Sequence, residues 1–343
     1  MAIQLTSDPL GVAYWLRGDV VAASQAFLES VHTSLSAGNV YAALTFSCDL
    51  ARLHVLQGQL HEAARTYHTA LELATKQDGG ILDTSLAQVG LGDLLREWNE
   101  LERAVESLTQ GLKLAERAGN RIALSYGYLS LVHVKLAQGE KQAAWQLFEN
   151  LDQLVQHAKL TPFLSVVATC RVRLALIDGN SEVASEWEKG CGLSIEDELS
   201  HVREFEYLTL ARVFVATGRY DSAMVLLRRI QQAAEGGKRI RSAIESLVLQ
   251  VIALEAEGNI SLAMKKLLRI LAMAEQEGYV RIFVDEGEPI AKLLLKIVEA
   301  WQKGLCWLLG TSVLEMGGLH PHNLSHLSQH IAITKKDTCQ EKR

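Results

Sequence analysis

The sequence has few of the residues that interrupt helices and few that build disulfide frameworks or metal sites. Its 343 residues include four prolines and five cysteines, and no two cysteines form a CxxC pair. Long stretches without proline favour helices, because a proline inside a helix costs about 3 kcal/mol. The odd cysteine count and the wide spacing are typical of reduced thiols in a cytoplasmic protein, and we expect neither disulfides nor a zinc site.

The sequence also lacks long apolar runs, excess positive charge and catalytic motifs. It contains no run of 18 apolar residues, which predicts no transmembrane helix, and its first residues do not form a secretion signal. Its net charge of −6 argues against direct nucleic-acid binding, which needs a basic surface. HExxH, a nucleophile elbow and GxxxxGK[ST] are all missing. We therefore expect no enzyme, no cofactor and no metal.

What the sequence does contain is a repeat of about 40 residues. A turn residue recurs at intervals of 39–41 residues, at Gly18, Gly58, Asn99, Gly139, Gly179, Gly218 and Gly258. Five residues after each of these turn residues stands an alanine, and nine residues after stands a large apolar residue in six of the seven units. Positions four apart share one face of a helix, so each unit places these two residues on a common apolar stripe.

The repeat predicts how the chain folds. A residue that tolerates a left-handed backbone ends one helix, and the small residues let the next helix pack closely. A single helix pair cannot bury its own apolar faces, so neighbouring pairs must stack. We predict an all-α, right-handed superhelical solenoid of about seven tetratricopeptide-like helix pairs over residues 1–276. A closing motif and capping helix would occupy 277–300, and an irregular, flexible tail 301–343. Unrelated helical hairpins in a bundle are the weaker alternative.

Three stretches carry a resemblance to a known family: 95–101 (LREWNEL), 210–219 (LARVFVATGR) and above all 277–289 (EGYVRIFVDEGEP). Over roughly residues 10–297 the sequence resembles the sensor region of MalT-like, LuxR-family, ATP-dependent transcriptional regulators. The resemblance implies a cytoplasmic sensor that binds an inducer or an inhibitory protein and so controls a nucleotide-binding switch and a helix-turn-helix. Because neither of those motifs is found in this sequence, we do not expect this chain to hydrolyse ATP or bind DNA.

The resemblance to tetratricopeptide geometry also implies that the first helix of each pair lines a concave groove. Positions six and three residues before each turn residue would face it. Arginine offers paired donors to carboxylates and phosphates, so such a groove could hold an anionic ligand or an acidic peptide. The alternative is an ordinary solvated face with structural salt bridges, such as one between Asp93 and a neighbouring arginine. The candidate groove residues are Trp15, Arg52, Asp93, Arg96, His133, Arg173, Arg212 and Glu255.

The expected partner is a small-molecule inducer or a regulatory protein bound in the concave groove, with self-association left open. The alternative function is a stand-alone scaffold for protein–protein interaction. Two further clusters receive structural interpretations. Asp285, Glu286 and Glu288 precede Pro289 and are predicted to cap the helix that follows. The histidines of the tail could share a face if helical, but no metal is expected there: His320, His322, His326 and His330.

Overall fold

The computed structural model describes residues 8–75 and 81–302, without the side chains of residues 81–83 and 301–302. This part of the chain forms sixteen α-helices and no strand, and the prediction of an all-α solenoid is confirmed. Helices α1 to α14 form seven consecutive antiparallel pairs, and α15 and α16 follow them. The helices are α1 (Pro9–Leu16), α2 (Val20–Ser36), α3 (Val40–Leu56), α4 (Leu60–Thr75), α5 (Ile81–Glu97), α6 (Leu101–Ala118), α7 (Arg121–Ala137), α8 (Lys141–His157), α9 (Leu164–Ile177), α10 (Ser181–Gly190), α11 (Glu204–Ala216), α12 (Tyr220–Gly236), α13 (Ile240–Ala256), α14 (Ile260–Ala274), α15 (Arg281–Val284) and α16 (Glu288–Gln302).

The seven predicted turn residues all separate the two helices of a pair, and all have a positive φ. The angle ranges from 62° at Asn99 to 83° at Gly18. This left-handed conformation ends the first helix, and glycine adopts it without steric cost. Two of the second helices, α2 and α10, begin with a side-chain cap, as where Asp19 Oδ1 accepts from the Ala22 amide at 2.9 Å. The turns therefore follow from residue type at each position.

The space between the helices is filled by the two predicted columns. All seven alanines of the first column are fully buried, and the six large apolar residues of the second column are at most 3% exposed. The two helices of a pair approach each other most closely where the first helix carries glycine. A Cβ placed on Gly11 would lie 2.5 Å from Phe27, and one on Gly92 would lie 2.6 Å from Leu108. The columns thus set how closely the helices of a pair approach one another.

The fifth unit departs from the pattern. Its large apolar position holds Glu188, which forms an ion pair with Arg219 of the next unit at 2.5 Å. Helix α10 has only ten residues, and residues 191–200 that follow it are not helical. A charged residue at this position cannot fill an apolar interior, so the second helix ends early and the chain reaches α11 through an irregular connection.

Units far apart in the sequence also meet, because the array completes a turn and packs against itself. The Trp15 ring lies edge-on against the ring of His201 with 4.8 Å between centroids. Helix α3 contacts α13. The Trp98 indole N–H donates to the Glu277 carbonyl oxygen at 2.9 Å. We call residues 277–287, which follow α14 and form this last contact, the closing segment.

None of the helices in the described ranges is both long enough and apolar enough to span a lipid bilayer.

Candidate functional site

The first helices of units two to seven and the closing segment surround one cavity of about 100 Å³. This space is large enough for several water molecules or a small organic ligand. Ten of its lining side chains are ionisable acids or arginines, five of each sign, so their formal charges cancel. They are Arg52, Arg96, Arg173, Arg212 and Arg241, and Asp93, Glu97, Glu245, Asp285 and Glu286.

The structure brings six of the eight predicted groove residues to this cavity. Five come from the position six residues before the turn residue, namely Arg52, Asp93, His133, Arg173 and Arg212, and the sixth is Arg96. The predicted residues Trp15 and Glu255 lie elsewhere. Trp15 is buried in a separate apolar cluster under the first unit, and Glu255 is partly exposed at the end of α13. Both belong to terminal units, which lie at the ends of the superhelical turn.

One part of the cavity wall is built around Arg96 and Glu97 at the end of α5. Arg96 forms ion pairs with Asp285 at 3.0 Å and with Asp93 and Glu97 at 3.3 Å each. Glu97 also pairs with Arg241 at 3.2 Å and accepts the Ile282 amide proton at 2.8 Å. The pairing of Asp93 with a neighbouring arginine, which the sequence suggested, is therefore present. This cluster joins units three and seven to the closing segment.

A second cluster lies around Arg212 on α11. Arg212 donates to Glu245 at 3.0 Å and also to Glu286 of the closing segment. Arg173 on α9 approaches the same Glu286 oxygen only to 3.7 Å, beyond hydrogen-bond distance. Its side chain remains 28% exposed, whereas that of Arg212 is 11% exposed. The two arginines are equivalent in the repeat but differ in how fully their donors are used.

Another arginine of the cavity wall, Arg52, lies on α3. It pairs with Asp49 at 3.2 Å, and its guanidinium group lies over the Tyr126 ring at 4.5 Å. The ring face attracts the cation, so Arg52 is held by both an ion pair and a cation–π contact. The hydroxyl-bearing side chains of Tyr67 and Ser130 complete this side of the cavity.

The prediction that acidic residues cap the last helix is wrong for Asp285 and Glu286. Asp285 pairs with Arg96 and Arg281, and Glu286 pairs with Arg212. Helix α16 begins only at Glu288, after Gly287, so the two preceding carboxylates are free to face the arginines of the cavity. Only Glu288 lies in the first turn of α16, where it pairs with Lys292 at 3.2 Å.

Sequence reasoning also missed cavity residues on α5, α7 and α13. Leu86, Tyr126 and Glu245 each stand thirteen residues before a turn residue. They are thus seven residues before the predicted groove position, close to two full helical turns away and on the same face. This spacing is a signal that could have found them. Arg241 and the acidic residues of the closing segment do not belong to a recurring position of this kind.

The electrostatic environment fixes the charge of the titratable groups. Burial and the positive charges of Arg96 and Arg173 lower the pKa of His133 to about 3, although Asp93 and Asp285 act in the opposite direction. His133 is therefore a neutral imidazole at pH 7. Burial acts to raise the pKa of Glu245, but the nearby guanidinium group of Arg212 outweighs it and lowers that pKa to about 2.

The cavity can thus offer guanidinium donors, carboxylate acceptors and a neutral imidazole to a small polar molecule. Among the residues that the structure describes, no group of three or more histidine, cysteine or acidic side chains is arranged to hold a metal ion. The histidines of the tail lie outside the described residues.

The fold is that of a tetratricopeptide-type repeat array closed around a polar cavity, and comparison with known proteins gives its family. Residues 4–300 match the family model described as the MalT-like TPR region. The chain therefore belongs to the family of tetratricopeptide regions of MalT-like transcriptional regulators.

Curated relatives agree with this assignment. The chain is 26% identical over 203 residues to the HTH-type transcriptional regulator MalT of Vibrio campbellii, covering 58% of this chain and 22% of that protein. It is 23% identical over 291 residues to MalT of Vibrio cholerae, covering 82% of this chain and 30% of that protein. The chain thus matches less than a third of the length of these relatives.

Two solved structures are similar to it. One is a Signal Transduction ATPase with Numerous Domains (STAND) protein with a tetratricopeptide repeat sensor from Pyrococcus horikoshii. Its TM-score is 0.47 at 13% identity, covering 98% of this chain and 49% of that one. The other is a tetratricopeptide repeat protein from Parabacteroides merdae, with a TM-score of 0.41 at 16% identity, covering 82% of this chain and 95% of that one.

Proposed function

We propose that this chain is the ligand-sensing module of a MalT-like transcriptional regulator and that it acts by binding a small molecule in the central cavity. The observation that carries the proposal is the composition of the cavity wall. Side chains from six consecutive units and from the closing segment meet there. A ligand in this cavity would bind where these units and the closing segment meet, so its binding energy would act on how they are arranged around it.

The mechanism we propose is a shift between a closed and a more open array. The closed form is held by ion pairs between distant units, such as Arg96 with Asp285 and Arg241 with Glu97. A ligand shifts such an equilibrium only by the difference between its affinities for the two forms, and each 1.4 kcal/mol of difference is about a factor of ten. The change in curvature would be passed to the remainder of a regulator.

Binding rather than catalysis is supported by the state of the reactive groups. The carboxylates of the cavity are held in ion pairs with arginine, and His133, with its lowered pKa, lies among arginines that disfavour its protonated form. A general acid or base works best with a pKa near the operating pH, whereas the pKa values of Asp93, Glu245 and His133 are all lowered away from it.

A scaffold that binds a protein partner is the second candidate, and a different surface favours it. The first units carry large apolar side chains that are 39–61% exposed, at Leu10, Leu16, Val21, Leu28, Leu35 and Tyr41. All six lie on helices α1 to α3, and exposed apolar surface is typical of protein interaction sites. A partner that used them would bind the outside of the array, because the cavity is too small to admit a folded segment.

The test is a thermal-shift screen of the purified chain against small metabolites, repeated with a cavity-filling variant. A ligand at one hundred times its Kd stabilises the folded state by about 2.7 kcal/mol, which raises Tm by several degrees. Ser130→Leu should abolish that shift, since Ser130 lines the cavity. Ser36→Leu, on the exposed end of α2, should leave it unchanged. A screen without any stabilising small molecule would contradict the proposal.

A further inference from the structure

We infer that the ligand of this cavity is a small monocarboxylate and that Arg173 is the residue that binds its carboxylate group. This inference rests on the proposed function and deepens it. It distinguishes Arg173 from Arg212, although the repeat makes the two equivalent.

The first step is the count of charges around the cavity. To the ten ionisable lining residues we add Asp49, which pairs with Arg52, and Arg281, which pairs with Asp285. The set then contains six carboxylates and six arginines. Every one of the six carboxylates has an ion pair of 3.3 Å or less with an arginine other than Arg173. The carboxylates of the cavity are therefore all engaged without Arg173.

The second step is the state of Arg173 itself. Its shortest ion-pair distance is 3.7 Å, to the Glu286 oxygen that already accepts from Arg212. Within residues 8–75 and 81–302, no acceptor lies at hydrogen-bond distance with suitable geometry for its guanidinium group. A guanidinium group has five N–H donors in a planar fork, and those of Arg173, whose side chain is 28% exposed, remain available to a molecule in the cavity. An oxyanion supplied from outside the described chain would accept from these donors.

The third step is the choice of anion. The formal charges around the cavity already balance, and what Arg173 lacks among the described residues is an acceptor at hydrogen-bond distance, while the Glu286 carboxylate lies 3.7 Å away. A second negative charge would be repelled by this carboxylate, so a monoanion fits better than a phosphate dianion. A carboxylate also matches the planar fork of a guanidinium group with two parallel hydrogen bonds.

The fourth step is the remainder of the ligand. Besides its charged groups, the cavity is lined by apolar side chains, namely Leu86, Val89, Leu129 and Ile282, and by the two tyrosines Tyr67 and Tyr126. One water molecule needs about 10–15 Å³ in this measure, so the volume of about 100 Å³ admits a ligand of roughly ten non-hydrogen atoms or fewer. A short carbon chain, bare or carrying a hydroxyl group, suits this wall.

The experiment compares pairs of probes that differ only in charge. Acetate and lactate are titrated into the full chain by calorimetry, beside their neutral amides acetamide and lactamide and beside inorganic phosphate. We expect the carboxylates to bind at least tenfold more tightly than the amides and than phosphate. Arg173→Gln should weaken carboxylate binding at least tenfold, and Arg173→Lys should restore only part of it, because lysine keeps the charge but not the fork.

Arg171→Gln is the matched control. It removes an arginine from the same helix α9, but Arg171 is 50% exposed, pairs with Asp152 and does not line the cavity. Carboxylate binding should be unchanged in this variant. A melting curve of each variant establishes that it is folded before binding is measured.

The outcomes separate the inference from the proposed function. Equal binding of amides and carboxylates, tighter binding of phosphate, or undiminished carboxylate binding by folded Arg173→Gln overturns the inference. Stabilisation by other small molecules, lost in Ser130→Leu, would still support the proposed function in those cases. If no probe and no library compound binds, both are overturned.

Discussion

Two sets of contacts hold this array together, and they differ in how far apart their residues lie in the sequence. The apolar contacts join neighbouring helices, as where Leu108 of α6 packs against Gly92 of α5. Some of the polar contacts around the cavity join distant units. The Arg241–Glu97 pair spans 144 residues and the Arg96–Asp285 pair spans 189. The first set recurs in every unit except at Glu188 of the fifth, whereas each contact of the second set occurs once.

The difference shows how one repeat serves two purposes. The apolar columns are buried in each unit and depend only on the local helix pair, so they hold the two helices of each pair together. The contacts between charged residues of distant units form only when the superhelix completes its turn, so they depend on its curvature. A change in curvature would leave the first set nearly intact and separate members of the second. We therefore expect the two sets to respond differently to mutation, to pH and to ligand.

The largest expected effect is loss of a buried carboxylate from the polar set. Glu97→Ala should lower the free energy of unfolding by about 3–5 kcal/mol, because it leaves the buried Arg241 without its ion-pair partner and the Ile282 amide without its acceptor. Urea unfolding followed by circular dichroism measures this. Glu106→Ala, on the exposed face of α6, should change the value by less than about 0.5 kcal/mol. Similar values for the two variants would mean that the ion-pair cluster contributes little.

In the apolar set, substitution of Leu108 should lower the free energy of unfolding by nearly as much as Glu97→Ala does. Leu108→Ala removes a fully buried side chain and should cost about 3 kcal/mol through lost burial and the cavity left behind. The control is Leu262→Ala at a side chain that is 51% exposed, with an expected cost below about 1 kcal/mol. Unlike Glu97→Ala, Leu108→Ala should keep the response of the chain to cavity ligands. Loss of that response would mean that the two sets of contacts are not separable.

Acid should weaken the polar set first, through His133. Its pKa of about 3 in the folded chain lies below the ordinary value of 6.5, so below pH 6.5 the unfolded chain takes up a proton that the folded chain does not. Stability is therefore fully present above about pH 6.5 and is lost as the pH falls toward 3. Between pH 7 and 5 the loss from this residue is up to about 2 kcal/mol.

The measurement for this prediction is the free energy of unfolding at pH 7 and at pH 5. His133→Gln cannot take up the proton, so it should lose less stability over this interval than the unmodified chain. His157→Gln, at an exposed position on α8, should behave as the unmodified chain does. Equal losses in the two variants would show that His133 is not buried in its neutral form.

The smallest expected effect concerns two residues other than glycine that have a positive φ, Lys159 and Asn99. Lys159 is exposed with φ of 52°, so Lys159→Gly should stabilise the chain by about 0.5–1 kcal/mol by relieving the left-handed backbone. Asn99 has φ of 62°, but its side-chain oxygen accepts from Arg281 of the closing segment at 3.1 Å. Asn99→Gly loses that charged hydrogen bond and should destabilise by about 1 kcal/mol. Thermal unfolding of both variants would distinguish them. A gain in Asn99→Gly would show that only the local backbone matters at this turn.

The comparison of Asn99 with its six glycine counterparts also shows where sequence reasoning stops. The repeat explained why asparagine is tolerated at a turn with positive φ. It could not show that the side chain is tied to Arg281, 182 residues away. The same holds for Asp285 and Glu286, which were predicted to cap α16 because they stand before a helix. Apart from Arg281, four residues before Asp285, their partners are Arg96 on α5 and Arg212 on α11, and no local pattern identifies these two.

The sequence by itself determined the helix pairs, the positions of their turns and the residues buried between them. It could do so because these features depend on residue type within a span of about 40 residues and recur seven times. Only the tertiary structure decided which charged residues meet, which arginine keeps its donors free and which carboxylates face them. Those contacts depend on the accumulated curvature of the whole array, a small rotation added at each unit, and no single unit specifies it.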